Sequence, residues 1–486
     1  MWVIISLVFT NFVFLNIIMR IVFFLFLLMT FQRSVAISGY DLTITLKNAP
    51  SDTLYFGYYF ADKQYLKDTA FKNNGVFRFH GDKALEPGIY LLVMPPKNDF
   101  IQLFINKDEQ NLQINVDATQ TVRSFKINGS KDNELFYDYL NLLEDARPKA
   151  QTLNTQLQAE KDSLKKINLQ SQLDKINESV KNKQNNIVAK YPLSIAAMLI
   201  KSTFEVEIPV YEGKKEEVDL KRYLFYKAHY FDHLDLGDVR LLRSPLLNER
   251  LDYYLEKLTV QDPDSVNVSL DYLLRKLQPA DETFKYYLIQ YLNKYAASKI
   301  VGFDGIYVHL VDEYYSKGFA AWIDQEQLDK IEKNAAALRS ILIGKTAPEI
   351  KVIRYPDQST ISLHGIKSPY TILFIWDPEC SHCKASLPII VKFYEKYKSK
   401  GVEILAVCSQ FSDKVPTCWK YLDEQKIAPG WINASDPYHT SRYKVLYDVK
   451  STPQIFILDQ NKKIVSKGIG AEQLGEVMDE IMKRTK

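Results

Sequence analysis

Two cysteines in the last quarter of the chain have a spacing that suits thiol-disulfide exchange. Cys380 and Cys383 are separated by two residues and follow a nearly continuous apolar run over 370–375, which predicts a buried central strand. A helix is predicted from about residue 383 to 398. A strand-to-helix junction with this spacing brings both sulfurs within bonding range and puts the first at a helix N-terminus, where backbone N–H groups stabilise a thiolate. The pair is therefore a candidate catalytic dithiol.

The two cysteines are expected to have different roles. Cys380, at the start of the helix, is the expected nucleophile, and Cys383, one turn later and more buried, would resolve a mixed disulfide by attacking Cys380. His382 lies between them. A positive charge on this histidine would stabilise the thiolate of Cys380, which favours the reduced pair and makes the disulfide more oxidising.

Other sulfur chemistries fit the spacings less well. Cys408 and Cys418 have nine residues between them, whereas the cysteine pairs of structural zinc sites are about two to four residues apart. A c-type haem would need a histidine directly after the second cysteine, where the chain has Lys384. A peroxidatic cysteine would act without a partner two residues away. We therefore expect no metal and no bound cofactor, and we interpret Cys408 and Cys418 as buried free thiols, with an auxiliary disulfide as the alternative.

Two prolines support redox exchange. Pro388 lies inside the predicted helix, five residues after Cys383, where it should kink the helix axis. Thr452 and Pro453 directly precede the apolar run 454–458, which predicts another buried strand. A proline that leads into a buried strand is a candidate for a cis peptide bond, and it would expose backbone carbonyl and N–H groups to an incoming chain.

Together these residues resemble the TlpA-like thiol-disulfide oxidoreductases of the bacterial envelope, which have a thioredoxin fold. The motifs that carry the resemblance, in order over about residues 344–486, are Gly344-x-x-Ala347-Pro348, Trp376-x-x-x-Cys380-x-x-Cys383, Pro388 and Thr452-Pro453. The resemblance implies that Cys380 attacks, that Cys383 resolves, and that the loop of Thr452 and Pro453 holds the substrate. It also implies envelope protein thiols or disulfides as substrates, and a membrane thiol reductase or oxidase as the redox partner.

The chain departs from the usual proton relay of this family. An acid commonly lies six residues before the first cysteine, where this chain has Phe374, and many relatives carry a glutamate three residues after the second, where it has Ser386. Asp377 and Glu379 are the nearest acids and could substitute, although each has a simpler interpretation as a solvated turn residue. The predicted supporting residues around the dithiol are Trp376, Asp377, Glu379 and His382.

Two regions precede the thioredoxin-like module, and their apolar residues recur with different periods. Over 41–116, short β-rich runs are separated by turn signals such as Asn73-Asn74-Gly75, which predicts a small antiparallel β-sandwich. After Gly129 the apolar spacing becomes helical, and a narrow apolar stripe over 153–180 predicts a long helix or a helical hairpin. The predicted fold is therefore multidomain, with an N-terminal antiparallel β-sandwich (37–130), a middle all-α domain (131–343) and a C-terminal α/β thioredoxin fold (344–486).

The long region before residue 344 leaves an alternative function open. It exceeds what thioredoxin chemistry requires, so the chain could be a client-binding or scaffold protein with a vestigial redox module. A third hypothesis combines the two, with the upstream regions presenting selected clients to the dithiol. Within the helical region, Gly302-Phe303-Asp304-Gly305 and Tyr314-Tyr315 could line a groove, although aromatic residues at helical spacing belong more often to a core.

The N-terminal segment predicts export. Residues 2–31 are almost unbroken apolar sequence, and Arg20 is the only charge among them. Read from Met19, the segment has a short positive region, an apolar run over 21–31, and small residues before a cleavage that would leave Ile37 first. The same stretch is long enough for an uncleaved anchor. We therefore predict a periplasmic or envelope protein, with 1–36 as a signal peptide or membrane anchor and with membrane contact only if this segment is retained.

Composition excludes several other classes of protein. Of the 486 residues, 46% are hydrophobic and 25% are charged, which are ordinary globular values. The 62 basic and 59 acidic residues nearly balance, so the chain lacks the basic excess that nucleic-acid binding requires, and nucleic acid is not an expected partner. The four cysteines all lie at or after position 380, which excludes a disulfide framework from the first three quarters of the chain.

Overall fold

The computed structural model describes residues 39–484 apart from 426, 428 and 429, so the predicted signal or anchor segment lies outside the described residues. Residues up to Phe204 belong to one compact unit, and residues from Glu205 onward form a second. Across the described part of the chain, no helix is both long enough and apolar enough to span a membrane. The domain boundaries given above stay predictions.

The described part of the first unit begins with two four-stranded sheets that share one core. Their orders are β4-β1-β7-β8 and β3-β2-β5-β6. Neighbouring strands are antiparallel, except that β1 and β7 run parallel. The strands are β1 (Tyr40–Lys47), β2 (Thr53–Phe60), β3 (Lys63–Phe71), β4 (Val76–Gly81), β5 (Gly88–Met94), β6 (Asp99–Ile105), β7 (Asn111–Asp117) and β8 (Lys126–Asn128). The predicted β-sandwich is therefore confirmed, with one parallel pair.

The helices of the first unit are held by capping side chains and by a contact to the sheet. Ser130 caps the second helix by accepting from the N–H of Asn133, whose amide in turn exchanges hydrogen bonds of 2.8 and 2.7 Å with the backbone of Phe104. The long apolar stripe forms a hairpin of two helices rather than one continuous helix. The helices are α1 (Thr121–Ser124), α2 (Lys131–Ala159), α3 (Ser163–Lys190) and α4 (Ile195–Ser202).

The second unit starts with helices and ends with an α/β layer. The helical part shows the predicted spacing; for example, Leu270, Leu273, Leu274 and Leu277 form one fully buried face of a single helix. A π-helical turn, Val311–Tyr315, follows one of these helices. The helices are α5 (Lys215–His229), α6 (Leu246–Glu256), α7 (Pro263–Leu277), α8 (Asp281–Ala296), α9 (Asp304–Leu310) and α10 (Gln325–Arg339).

The α/β part is a seven-stranded mixed sheet with an apolar core on each face. Its order is β10-β9-β13-β12-β11-β14-β15, and β11, β12 and β13 run parallel. The strands are β9 (Lys351–Tyr355), β10 (Thr360–Ser362), β11 (Tyr370–Trp376), β12 (Val402–Cys408), β13 (Ile432–Ser435), β14 (Gln454–Asp459) and β15 (Ile464–Lys467), and the helices are α11 (Ser381–Tyr397), α12 (Val415–Glu424), α13 (Tyr443–Leu446) and α14 (Leu474–Arg484). The predicted multidomain fold is confirmed.

Part of the helical region packs directly on this sheet. Ile341, just after α10, is buried in the same apolar cluster as Tyr447 and Phe456, which lie on one face of the sheet. Asp304, at the start of α9, forms an ion pair with Lys467 at the end of β15. The accessory helices therefore contribute to the core beside the loop that enters β14.

Candidate active site

The dithiol lies where a buried central strand of the sheet passes into a helix. Strand β11 is buried on both faces and ends at Trp376, and α11 begins at Ser381 with Cys380 as its N-cap residue. Cys380 and Cys383 are both free thiols; Cys380 is partly exposed, whereas Cys383 is fully buried. This geometry leaves one sulfur open to a partner and keeps the other behind it.

Burial and hydrogen bonding separate the acidities of the two thiols. Burial raises the pKa of Cys383 to about 12. Burial also acts to raise the pKa of Cys380, but hydrogen bonds from the backbone and thiol of Cys383 and from Thr452 outweigh it, and they hold that pKa below the usual value of a thiol. The exposed sulfur is therefore the one that ionises first, which suits a nucleophile.

The proline loop lies against the exposed sulfur. The Thr452–Pro453 peptide bond is cis, so this prediction is confirmed. The Sγ–H of Cys380 donates to the Thr452 carbonyl across 3.2 Å, although 72 residues separate them in sequence. The two motifs that the sequence analysis combined are therefore in direct contact.

Asp377 is a fixed carboxylate rather than a solvated turn residue. It accepts hydrogen bonds from the Ser409 hydroxyl at 2.6 Å and from the Gln410 amide at 3.0 and 3.1 Å, and its own N–H points to Cys383 Sγ at 3.4 Å. Burial acts to raise the pKa of Asp377, but these hydrogen bonds and that from the Glu379 N–H outweigh it and lower the pKa. An acid held in its charged form is poorly suited to take up the proton of a thiol, so we describe Asp377 as a positioning residue.

Ser409 and Gln410 were not recognised in the sequence. They directly follow β12, whose last residue pairs in register with Trp376 in the parallel neighbour β11. The carboxyl ends of parallel strands meet at one edge of a sheet, so polar residues placed after a strand can reach a site after its neighbour. The one sequence signal that could have identified Ser409 and Gln410 as site residues was their position directly after a predicted strand.

The remaining supporting residues fall into buried and exposed groups. Trp376 is fully buried, and its ring centroid lies 6.2 Å from that of Tyr421. Glu379 and His382 are exposed on the helix start, and the backbone of His382 contributes to the lowered pKa of Cys380. Of the predicted residues, the structure therefore brings together the two cysteines, Thr452, Pro453, Asp377 and the backbone of His382.

The other two cysteines form a disulfide. Cys408 and Cys418 are bonded, with their Cα atoms 6.4 Å apart, and both are fully buried. The preferred interpretation of two free thiols was therefore wrong, and the alternative was right. The physical reason is the crossover after β12: the chain turns back so that α12 packs on the sheet, and this places a helical cysteine beside the strand end.

Family models cover most of the described chain. A model described as a domain of unknown function (DUF4369) matches residues 40–136, a second described as a domain of unknown function (DUF5106) matches 165–342, and Redoxin matches 342–482. The thiol-disulfide oxidoreductase ResA of one Bacillus cereus strain is 31% identical over 144 residues, which are 28% of this chain and 75% of that protein. The chain belongs to the ResA/TlpA-like thiol-disulfide oxidoreductases. ResA of Bacillus subtilis (strain 168) is 28% identical and matches 27% of this chain and 69% of that protein.

Solved structures of other thioredoxin-like proteins also match. A domain of a possible thiol-disulfide isomerase from Cytophaga hutchinsonii is 32% identical and covers 30% of this chain and 97% of its own, with a TM-score of 0.28. A thioredoxin-like protein from Bacteroides caccae is 17% identical and covers 57% of this chain and 99% of its own, with a TM-score of 0.43. As a member of the ResA/TlpA-like oxidoreductases, the chain is an enzyme of thiol-disulfide exchange.

Proposed function

We propose that Cys380 and Cys383 are the redox centre of an exported oxidoreductase that exchanges disulfides with proteins of the cell envelope. One observation carries the proposal: a partly exposed thiol of lowered pKa lies 3.2 Å from the carbonyl of a cis-proline loop, with a buried thiol of raised pKa behind it. The apolar N-terminal sequence supports the export part of the proposal. No bound cofactor is needed, because the two sulfurs carry the electrons.

The reducing direction of the cycle proceeds in two steps. The Cys380 thiolate attacks one sulfur of a client disulfide, the client S–S bond breaks, and the other client sulfur leaves as a thiolate. Cys383 then attacks Cys380 Sγ, and its proton goes to the departing client sulfur. The products are a Cys380–Cys383 disulfide and a client dithiol, so two electrons have passed to the client. The same steps in reverse oxidise a client.

A second redox partner must reset the pair after each cycle. We propose a thiol reductase or oxidase of the membrane for this role, because the chain holds no other exchangeable dithiol among its cysteines: Cys408 and Cys418 are bonded and fully buried. The reduction potential of the pair decides the direction. A strongly oxidising value favours disulfide formation or isomerisation in clients, and a strongly reducing value favours electron delivery to them.

Disulfide exchange by the full-length reduced protein tests the proposal. Cys380→Ser should abolish reduction of insulin disulfides, whereas Cys383→Ser should still attack but should accumulate a mixed disulfide that gel electrophoresis without reductant detects. Full activity of Cys380→Ser would refute the mechanism. A wild-type pair that cannot be oxidised reversibly by glutathione would favour the scaffold hypothesis instead. N-terminal sequencing of the mature protein tests cleavage after residue 36.

A further inference from the structure

A cleft of about 400 Å³ opens in the second unit beside the cis-proline loop. One wall belongs to the α/β layer and includes Lys450 and Gln454, which lie two residues to either side of Thr452. The opposite wall is the segment 298–302, which connects α8 to α9 in the accessory helices. The dithiol domain alone therefore supplies only part of this cleft.

The accessory wall is fixed in place by contacts at the base of the cleft. Asp304 and Lys467 both line the cleft and form an ion pair there, and their side chains are only 22% and 10% exposed. Leu338 and Ile341, also in the lining, pack in the same apolar cluster as Phe456 of β14. The wall is therefore preformed, so a bound molecule would not have to order it.

Along the chain the cleft begins two residues from Thr452, although neither Thr452 nor Cys380 itself lines it. Thr452 contacts Cys380 Sγ through its carbonyl oxygen. The lining residues Lys450 and Gln454 lie two residues before and two residues after Thr452 in the chain. An extended chain advances about 3.3–3.6 Å per residue, so a polypeptide joined to Cys380 reaches the cleft within a few residues. A small disulfide at Cys380 would not need to enter the cleft.

The accessory wall presents two neighbouring exposed apolar side chains. Ile300 and Val301 line the cleft and are 58% and 41% exposed. Among the charged lining residues, Lys450 forms an ion pair of 3.0 Å with Asp448, and Lys467 pairs with Asp304, while Lys299 adds an exposed positive charge to the accessory wall. The wall therefore offers apolar contact at Ile300 and Val301 beside the charge of Lys299.

We propose that this cleft binds the client segment that flanks the reacting cysteine, in an extended conformation, with an apolar client side chain against Ile300 and Val301. The inference rests on the proposed function, because the client must reach the cleft through a sulfur held at Cys380. It assigns a task to the accessory helices: they supply one wall of the client site and select clients by the residues next to the cysteine.

Two synthetic peptides test this inference on the full-length reduced protein. Both carry one cysteine as a 2-pyridyl disulfide, flanked by leucine and valine in the first and by serine and glycine in the second. Attack by Cys380 on the cysteine sulfur gives a mixed disulfide and releases 2-thiopyridone, which absorbance detects. We expect the wild type to react with the apolar peptide about fivefold faster than with the polar one at subsaturating concentration.

The variant Ile300→Asp/Val301→Asp should reduce this ratio to about one, since the apolar contact is lost. Val268→Asp is the matched control, because Val268 is 70% exposed in α7 and does not line the cleft, and it should keep the wild-type ratio. A double variant that keeps the ratio, or a wild type without any preference, would overturn the cleft assignment. Release of 2-thiopyridone from neither peptide would count against the proposed function itself.

Discussion

At the scale of single residues, the two active-site thiols differ because only one is deeply buried. Cys383 has no exposed surface, while Cys380 caps a helix and receives hydrogen bonds that favour its thiolate. Burial therefore suppresses charge on Cys383, while hydrogen bonds stabilise it on Cys380. Cys380 is therefore the thiol that loses its proton first as the pH rises.

The pH dependence of alkylation should show this difference. The rate of a thiolate reaction falls about tenfold per pH unit below the thiol pKa. The reaction of iodoacetamide with Cys380 should therefore stay fast at pH values where an ordinary thiol is already protonated, and Cys383 should react appreciably only near its pKa of about 12. Peptide mapping after short exposure at a series of pH values measures both profiles. Equal profiles for the two cysteines would contradict the assignment.

The hydrogen bond from Ser409 to Asp377 should stabilise the site measurably. The acceptor is a charged and partly buried carboxylate, so Ser409→Ala should lower the free energy of unfolding by about 1–2 kcal/mol. Ser359→Ala is the control, because Ser359 donates to Asp357 at 2.8 Å on the exposed surface, and its loss should cost less than about 0.5 kcal/mol. Urea denaturation measures the free energy of unfolding of both variants. Equal losses would show that the partly buried hydrogen bond stabilises the protein no more than the exposed one.

The arrangement of the candidate site residues was largely predictable from the sequence, but that of their hydrogen-bond partners was not. Cys380, Cys383, Thr452 and Pro453 belong to local motifs whose spacing implies their chemistry. Ser409 and Gln410 act through a contact between neighbouring strands, and the sequence does not show which strand lies beside β11. The hydrogen bonds that hold Asp377 could therefore be recognised only once the order of the strands in the sheet was known.

At the scale of elements, buried strands were easier to predict than edge strands. Strand β11 is apolar at every position except Thr371, because both of its faces are covered. Strand β3, Lys63–Phe71, was missed because it is an edge strand that is exposed over most of its length and lacks a clear alternating pattern. The short strands β9, β10 and β13 were missed as well, since they are brief and only partly buried.

The disulfide that joins β12 to α12 should contribute to stability. It closes a short loop with a sequence separation of 10, for which chain entropy predicts about 2–3 kcal/mol. Cys408→Ala/Cys418→Ala should lose roughly this free energy of unfolding, as measured by denaturation without reductant. In a Cys380→Ser/Cys383→Ser background, which removes the proposed exchanging pair, dithiothreitol should lower the free energy of unfolding of the protein with the intact Cys408–Cys418 bond to the level of the variant, and the variant should not respond. A variant as stable as the wild type would contradict a stabilising role.

At the scale of the whole molecule, periodicity identified helices but not their packing partners. The helical spacing predicted one middle region, yet residues up to Phe204 and from Glu205 belong to different compact units. A periodic apolar face shows that a helix is covered on one side, and it does not show what covers it. The accessory helices are linked to the sheet by the ion pair of Asp304 and Lys467, which are 163 residues apart in sequence.

A double-mutant cycle should show that this link is energetically significant. The ion pair is mostly buried, so Asp304→Asn and Lys467→Met should show a coupling energy of about 1–3 kcal/mol in free energy of unfolding. The exposed pair of Glu326 and Lys330 in α10 is the control, and the cycle of Glu326→Gln and Lys330→Met should give less than about 0.5 kcal/mol. Similar coupling for both pairs would mean that the link adds little beyond a surface contact.

The order of the cysteines along the chain has a consequence for biogenesis. Cys380 and Cys383 are synthesised before Cys408 and Cys418. The exchanging pair is therefore complete while the structural pair is still two separate thiols. Disulfide exchange is the chemistry by which such thiols are joined. If the proposed exchange is right, an oxidised molecule would therefore carry, in its own active site, the class of oxidant that closes the Cys408–Cys418 bond of another copy.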